Sequence, residues 1–397
     1  MVTRDLSARL RSAIASFPVV FLTGPRQSGK TTLARMTQPD YRYISFEDLQ
    51  NRDEALRDPV GFLRRLEGEP GIVLDEAQRV PELFSYLQGF ADERRGGPVV
   101  LTGSQNFLML ERVSQSLAGR AAVIELLPFS LAEAIGRPGR APAELESTST
   151  GPRPQGLALD QILFEGMYPR IRAERAEPLL WLDSYLRTYV ERDVRTLHNV
   201  GDLDAFTRFL GLCAGRAGQL LDLTSLGSDA GVSHTTVRRW LSVLEASYVV
   251  RLLRPHHQNF SKRLVKAPKL YFLDTGLLCR LLGLRQAADV HVHPLRGAIF
   301  ECFVFSELQK LFLHQGERPP VYFWRDSRGH EVDFVVDLVS RHVPIEAKSG
   351  LTVAGDAFDG LDRYLDLSHD AGGMLVYGGD EARSRGRHHL RPWWALS

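Results

Sequence analysis

The chain has 397 residues, more than one ordinary core holds and enough for two or three domains, with 44% hydrophobic and 24% charged residues as in soluble globular proteins. Its 49 Lys and Arg against 48 Asp and Glu leave a formal charge of +1. That excludes a global field for a polyanion, so any such surface has to be a local patch. Only six of the basic residues are lysines (30, 262, 266, 269, 310 and 348), which gives weight to a lysine inside a motif. Cys213, Cys279 and Cys302 are far apart and lack disulfide or metal spacing. No run approaches the roughly 18 apolar residues of a membrane span. The short apolar stretch Phe17–Leu22 leads into a glycine loop instead of a cleavage site. The expectation is a cytoplasmic protein without membrane contact.

Taken in chain order, five short apolar runs mark the first third: Val19–Leu22, Tyr43–Phe46, Ile72–Leu74, Val99–Leu101 and Ala122–Leu127. They do not alternate with polar residues, and segments of helical spacing lie between them. This predicts an α/β unit over 1–135 with a parallel sheet buried on both faces. Residues 136–158 are rich in Pro, Gly, Ser and Thr without periodicity and read as a connector. Helical spacing returns over 159–204 with Trp181, Tyr185, Leu186 and Tyr189. A further region spans 205–285, and the last, 291–397, joins a helix to alternating strands.

Gly24-Pro25-Arg26-Gln27-Ser28-Gly29-Lys30-Thr31, followed by Thr32, matches the phosphate-loop pattern at every fixed position, directly after one apolar run and before a helical segment. The glycines let backbone N–H groups turn onto phosphates, and the helix adds its positive end. Lys30 is placed for the β and γ phosphates of ATP, and Thr31 for Mg²⁺. Asp75 and Glu76 end the strand Ile72–Leu74, so they lie at the same carboxyl edge. Asp75 suits the Mg²⁺ shell and Glu76 the activation of water. These first ~135 residues resemble an AAA+ ATPase domain. The resemblance implies a polar sensor at Thr102 or Ser104, where the family's Asn is absent, and an arginine acting on a neighbouring copy at Arg120, which would make the protein a homo-oligomer.

Residues 223–246 read as two helices around a turn. Gly231 makes the turn, Ser233 caps the second helix, and Val237, Trp240, Leu241 and Leu244 form its apolar stripe. Thr235, Thr236, Arg238 and Arg239 are expected to face outward. The strands that follow, with a loop carrying His256, His257, Lys262, Arg263, Lys266 and Lys269, resemble a winged helix. Its basic patch is suited to double-stranded DNA.

In the last region Glu301 lies on an apolar helix, Asp333 on a strand, and Glu346 and Lys348 two apart on another strand, hence on one face. The set resembles the PD-(D/E)XK nuclease fold, with Glu301 matching its helix glutamate and Val332 standing where the name-giving proline would be. The resemblance implies a second divalent-metal site at Asp333 and Glu346, with Glu301 and Lys348 beside it. As a whole the chain resembles a widespread group of prokaryotic AAA+ ATPases with an uncharacterised C-terminal domain. The segments Phe164–Pro169, Tyr189–Asp193 and Asp274–Gly276 look like that group's, with no role beyond turns and packing. Three functions fit these features: an ATPase acting on or near DNA, an ATP-gated metal-dependent nuclease, and a nucleotide switch that binds only proteins.

Overall fold

The computed structural model describes every residue apart from Met1, Arg94, 105–116, Thr148, 195–199, Gly201, 257–265 and Ser397, and only the backbone at 191–193. The chain divides into two compact units. Unit 1 is Met1–Phe129 with Ala246–Tyr248 and Leu313–Glu317, and unit 2 is the remainder. Among the described residues no helix is long and apolar enough to cross a membrane.

Unit 1 is built on five parallel strands, β1 (Val19–Thr23), β2 (Arg42–Ser45), β3 (Ile72–Asp75), β4 (Val99–Gly103) and β5 (Ala121–Glu125), in the order β2-β3-β4-β1-β5. The five apolar runs are therefore these strands. Alternation along them feeds two cores. Val19, Phe21, Ile72, Leu74, Val99 and Leu101 pack on one face, with Phe62, Phe84 and Leu87 from helices. Val20, Leu22, Val73 and Val100 pack on the other, against Leu10, Ile14 and Leu33. The central strands β1, β3 and β4 are buried throughout and so read as unbroken apolar runs, while the edge strands β2 and β5 are only partly covered. The register pairs Thr23 with Gly103, Leu74 with Leu101 and Ser45 with Asp75. The ends of β1, β3 and β4 thus open on one edge.

In unit 2, the helices Leu203–Ala214, Leu223–Ala230 and His234–Ala246 precede a two-stranded antiparallel sheet of β6 (Val250–Leu253) and β7 (Lys269–Phe272). Phe206 and Phe209 meet the Trp240 ring edge-on, with ring centres 5.3 Å apart in each pair. Val237, Trp240, Leu241 and Leu244 are buried, as their spacing requires. Gly231 adopts the left-handed conformation at φ 72° after one helix, and the Ser233 hydroxyl accepts the Thr236 N–H at 3.1 Å to start the next.

The second sheet of unit 2 is mixed. Strands β8 (Val321–Arg325), β9 (Glu331–Asp337), β10 (His342–Lys348), β11 (Gly373–Tyr377), β12 (Arg383–Arg385) and β13 (His388–Pro392) lie in the order β12-β13-β11-β10-β9-β8. Helix Asp359–Ser368 supplies Leu361 and Tyr364 to its core, next to Trp324, Val335 and Leu375.

The segments around Gly166 and Asp274 also have a physical role. Asp274 is buried and caps helix Thr275–Leu281 by accepting the Leu277 N–H at 3.0 Å, while its other oxygen accepts the Met167 N–H at 2.7 Å. Gly166, at φ 68°, lies so close that a β-carbon would sit 2.3 Å from this carboxylate. One acid therefore joins two stretches more than a hundred residues apart.

Candidate functional site

Residues 24–29 bridge β1 and helix Lys30–Thr37. Gly24 has φ 146° and approaches β5's end so closely that a β-carbon there would lie 2.1 Å from the Leu126 carbonyl oxygen. Gly29 turns left-handed at φ 94° to start the helix, and Gln27 is left-handed too at φ 62°. Arg4 braces the loop from behind. Buried under Phe129, it donates to the Ser28 carbonyl at 2.8 Å and to the Leu127 carbonyl at 2.8 Å.

Lys30 is buried and donates to the carbonyls of Gly24 at 3.0 Å and Pro25 at 2.7 Å. Burial pulls its pKa down to about 8, against the opposing pull of Glu76 and Asp75.

Asp75 collects hydroxyls. One oxygen accepts from Thr31 at 2.9 Å and from Thr102, and the other accepts from Tyr43 at 2.8 Å. Burial, reinforced by Asp75, pushes the Tyr43 phenol up to about 12. Tyr43 escaped sequence reasoning because only the β2–β3 register brings it beside Asp75. Glu76 follows in the left-handed conformation at φ 56° and ψ 40°, a strained state for a residue with a side chain, and accepts from the Gln78 amide. The Ser28 and Ser104 hydroxyls are buried and have no hydrogen-bond partner among the described residues. Two orphaned hydroxyls, a buried lysine and the Thr31–Asp75 pair at one edge fit Mg²⁺–nucleotide, with Thr31 and Asp75 as the groups to hold the ion.

Arg120 lies elsewhere. It precedes β5, whose first residue Ala121 pairs with Val19, so it sits at the amino edge of the sheet, a strand's length from the loop. There it forms a two-pronged pair with Asp92, at 2.5 Å and 2.9 Å. Within one chain it does not reach the nucleotide edge.

The C-terminal acids gather in unit 2 around Lys269, which sequence alone groups with an exposed basic loop but which is 3% exposed, pairs with Glu331 and stands 3.9 Å from Asp333. Tyr271, two residues on and so on the same strand face, donates to Glu301 at 3.2 Å. The other expected wing residues fare variously. His256 is buried, Lys266 is exposed, and His257, Lys262 and Arg263 lie outside the described residues.

Burial, then the Asp333 charge, pushes the Glu301 and Glu346 carboxyls above the ordinary range. Burial alone would lower the Lys269 pKa, but Asp333, Glu301 and Glu331 outweigh it and hold the ammonium above the usual lysine value. Asp333 also accepts the Ala347 N–H at 2.9 Å, and Lys348 donates to Glu346 at 2.6 Å. Glu301, Asp333 and Glu346 do not form a set of three ligands converging on one ion among the described residues. Lys269 and Lys348 supply positive charge, while Glu346 Oε2 is buried without a hydrogen-bond partner among the described residues.

Sequence comparison finds an uncharacterized protein of Mycobacterium tuberculosis, Rv2008c, 34% identical over 354 residues, which cover 87% of this chain and 73% of that protein. Mb2031c of Mycobacterium bovis, also uncharacterized, matches to the same extent. The chain belongs to the family of these two proteins. Residues 16–135 match an AAA domain, 157–288 a domain of unknown function (DUF8612) and 296–396 another (DUF4143). With the loop geometry above, residues 16–135 are an AAA-type P-loop domain.

Among solved structures, the Walker-type ATPase PABY2304 of Pyrococcus abyssi is 14% identical, covering 70% of this chain and 94% of that one at a TM-score of 0.47. RuvB of Thermotoga maritima is 17% identical, covering 64% and 90% at 0.33. Neither likeness bears on what this chain does.

Two outcomes follow from the buried charges. A phosphate beside Lys30 raises the lysine's pKa again, so ATP binding near pH 8 takes up protons and weakens as pH rises further. Calorimetry in buffers of different ionisation enthalpy is expected to show that uptake near pH 8 and less of it near pH 7, where Lys30 is already largely protonated. Lys269→Met leaves the surrounding acids without their buried cation and is expected to cost about 3–5 kcal/mol in urea denaturation. Adding Asp333→Asn should recover part of the loss.

Proposed function

We propose that this protein is a Mg²⁺-dependent ATPase that acts on or near DNA, coupling ATP hydrolysis in unit 1 to a conformational change in a DNA-associated assembly. The observation that carries the reading is the Asp75 carboxylate held by Thr31 and Thr102 beside the buried Lys30, with Glu76 next to it in a strained left-handed turn. In this reading Lys30 neutralises the β and γ phosphates. Thr31 and Asp75 hold Mg²⁺, which when bound would offset the phosphate charge. Glu76 orients and deprotonates water, and Ser104 senses the γ phosphate. Arg120 completes the site of a neighbouring copy, releasing Asp92 as it does so. Residues 1–135 form the ATPase domain, 136–158 a connector, 159–204 a helical linker, 205–285 a winged helix and 291–397 a nuclease-like domain.

DNA contact is supported by the three helices and the strand pair of 205–285, with Thr235, Arg238, Arg239 and Lys266 exposed. Lys269 and His256 do not belong to that patch. The nuclease alternative has less support, because Glu301, Asp333 and Glu346 do not converge as three ligands on one ion among the described residues. The protein-only switch differs from the main reading in having no salt-sensitive DNA binding.

Lys30→Ala is expected to abolish phosphate release along with most ATP binding. Glu76→Gln should still bind ATP but turn over at least about 100-fold more slowly. Normal phosphate release from Lys30→Ala, measured with a coupled phosphate assay, would sink the assignment. For DNA, replacing Arg238 and Arg239 with Glu should weaken duplex binding across all sequences. The salt dependence should flatten by about one unit per lost phosphate contact in fluorescence anisotropy. Unchanged affinity and slope would assign 205–285 to protein contacts.

A further inference from the structure

One corner of unit 2 brings together two imidazoles and a carboxylate from separate stretches of chain. His256 follows β6, Asp337 ends β9 and His342 opens β10. One ligand atom from each lies within 4.8 Å of the other two.

The backbone around these groups is fixed. Pro255 bridges to Phe323 of β8, the Phe323 N–H donates to the Arg254 carbonyl at 3.1 Å, and the His256 N–H donates to the Phe323 carbonyl at 2.7 Å. Residues 254–256 therefore extend the edge of the six-stranded sheet. Asp337 and His342 are direct register partners across the β9–β10 turn. The turn is closed by the Leu338 N–H donating to the Arg341 carbonyl at 3.0 Å.

The His342 ring is oriented as well. Its Nδ1 lies 3.0 Å from one oxygen of Asp370, and the other oxygen accepts the His342 backbone N–H at 3.1 Å. With Nδ1 turned to Asp370, the ring presents Nε2 to Asp337, whose Oδ1 lies 4.0 Å away. The His256 ring packs against His342 at 4.9 Å and 63°. An imidazole whose far nitrogen is anchored by a carboxylate is the outer-shell pattern of metal-binding histidines.

We propose that His256, Asp337 and His342 form a Zn²⁺ site that pins the stretch after β6 to the edge of the six-stranded sheet. Two imidazole nitrogens and one carboxylate oxygen suit Zn²⁺, whereas Mg²⁺ and Ca²⁺ prefer oxygen ligands alone. Tetrahedral bonds of about 2.0–2.2 Å place ligand atoms roughly 3.4 Å apart, so the trio has to close by up to about 1.4 Å. His256 is 4% exposed, while Asp337 and His342 are half-buried. Three protein ligands with one side toward solvent leave the fourth position to water. The ion fixes residues 254–256 on the sheet edge, and it does so without reference to the nucleotide site.

The test is Zn²⁺ titration of the chelator-stripped full chain by calorimetry, without nucleotide and with millimolar Mg²⁺ present so that sites preferring oxygen ligands are occupied. The native chain should bind one equivalent. His256→Ala and His342→Ala should lose that equivalent while keeping the native circular dichroism spectrum and a cooperative urea transition, which shows that unit 2 folds. Asp370→Asn removes only the outer anchor and should weaken Zn²⁺ about 10- to 100-fold without changing the stoichiometry. Co²⁺ as a spectroscopic substitute should give visible tetrahedral bands in the native chain and none in His342→Ala. Identical Zn²⁺ titrations of the native chain and both histidine variants would overturn the proposal, as would a native chain that binds no equivalent. The trio would then be a hydrogen-bonded cluster without metal.

Discussion

The Asp75 carboxylate is the junction on which the nucleotide edge depends. Thr31 from the loop helix, Thr102 from β4 and Tyr43 from β2 all donate to it, so four separate segments of unit 1 meet at one side chain. A carboxylate supplies about four acceptor sites and no donor, so hydroxyls from three directions can share it without competing. The parallel register makes this geometry available by ending β1, β3 and β4 at the same level. Charge at the same edge is uneven: Lys30 is buried and its pKa falls toward neutrality, while Asp75 and Glu76 lie close by. The edge thus holds a reluctant cation, Lys30, with the Arg26 guanidinium near enough to lower its pKa further, beside two acids, an arrangement that fits added phosphate and a divalent cation.

Much of unit 1 was legible in the sequence because its signals are local. Strands buried on both faces leave unbroken apolar runs, and the phosphate loop announces itself by glycines at fixed spacing before Lys30. The helix containing Trp240 was equally readable from its stripe. What escaped depends on which strand lies next to which. Tyr43 looks like an ordinary strand aromatic until β2 is set beside β3. Asp274 looks like a plain helix cap until the chain near Gly166 comes up against it. Arg120 was read from its position before β5, and its pairing with Asp92 has no local signal.

Lys269 shows how composition misleads. In a chain with six lysines, three within eight residues read as a basic surface, yet the third points inward to Glu331 and Asp333. Local charge density says nothing of the side on which a strand residue falls, and β7 turns Lys269 and Tyr271 together toward the acids. Isolated, these carboxylates would be costly to bury, and the lysine makes the cluster tolerable. The C-terminal sheet therefore carries its own counter-charge, which separates the question of its fold from that of any chemistry on it.

The bracket formed by Arg4 has a practical consequence for where this chain can be cut. The AAA domain match begins at residue 16, and a fragment starting there would keep all five strands of unit 1. It would lose the guanidinium that holds the Ser28 and Leu127 carbonyls, along with Leu6, Leu10 and Ile14 from one face of the sheet. Such a fragment could retain the sheet while its phosphate loop relaxed. Its nucleotide affinity would then report on a loosened loop, and the minimal domain by sequence match would be smaller than the minimal domain by mechanics.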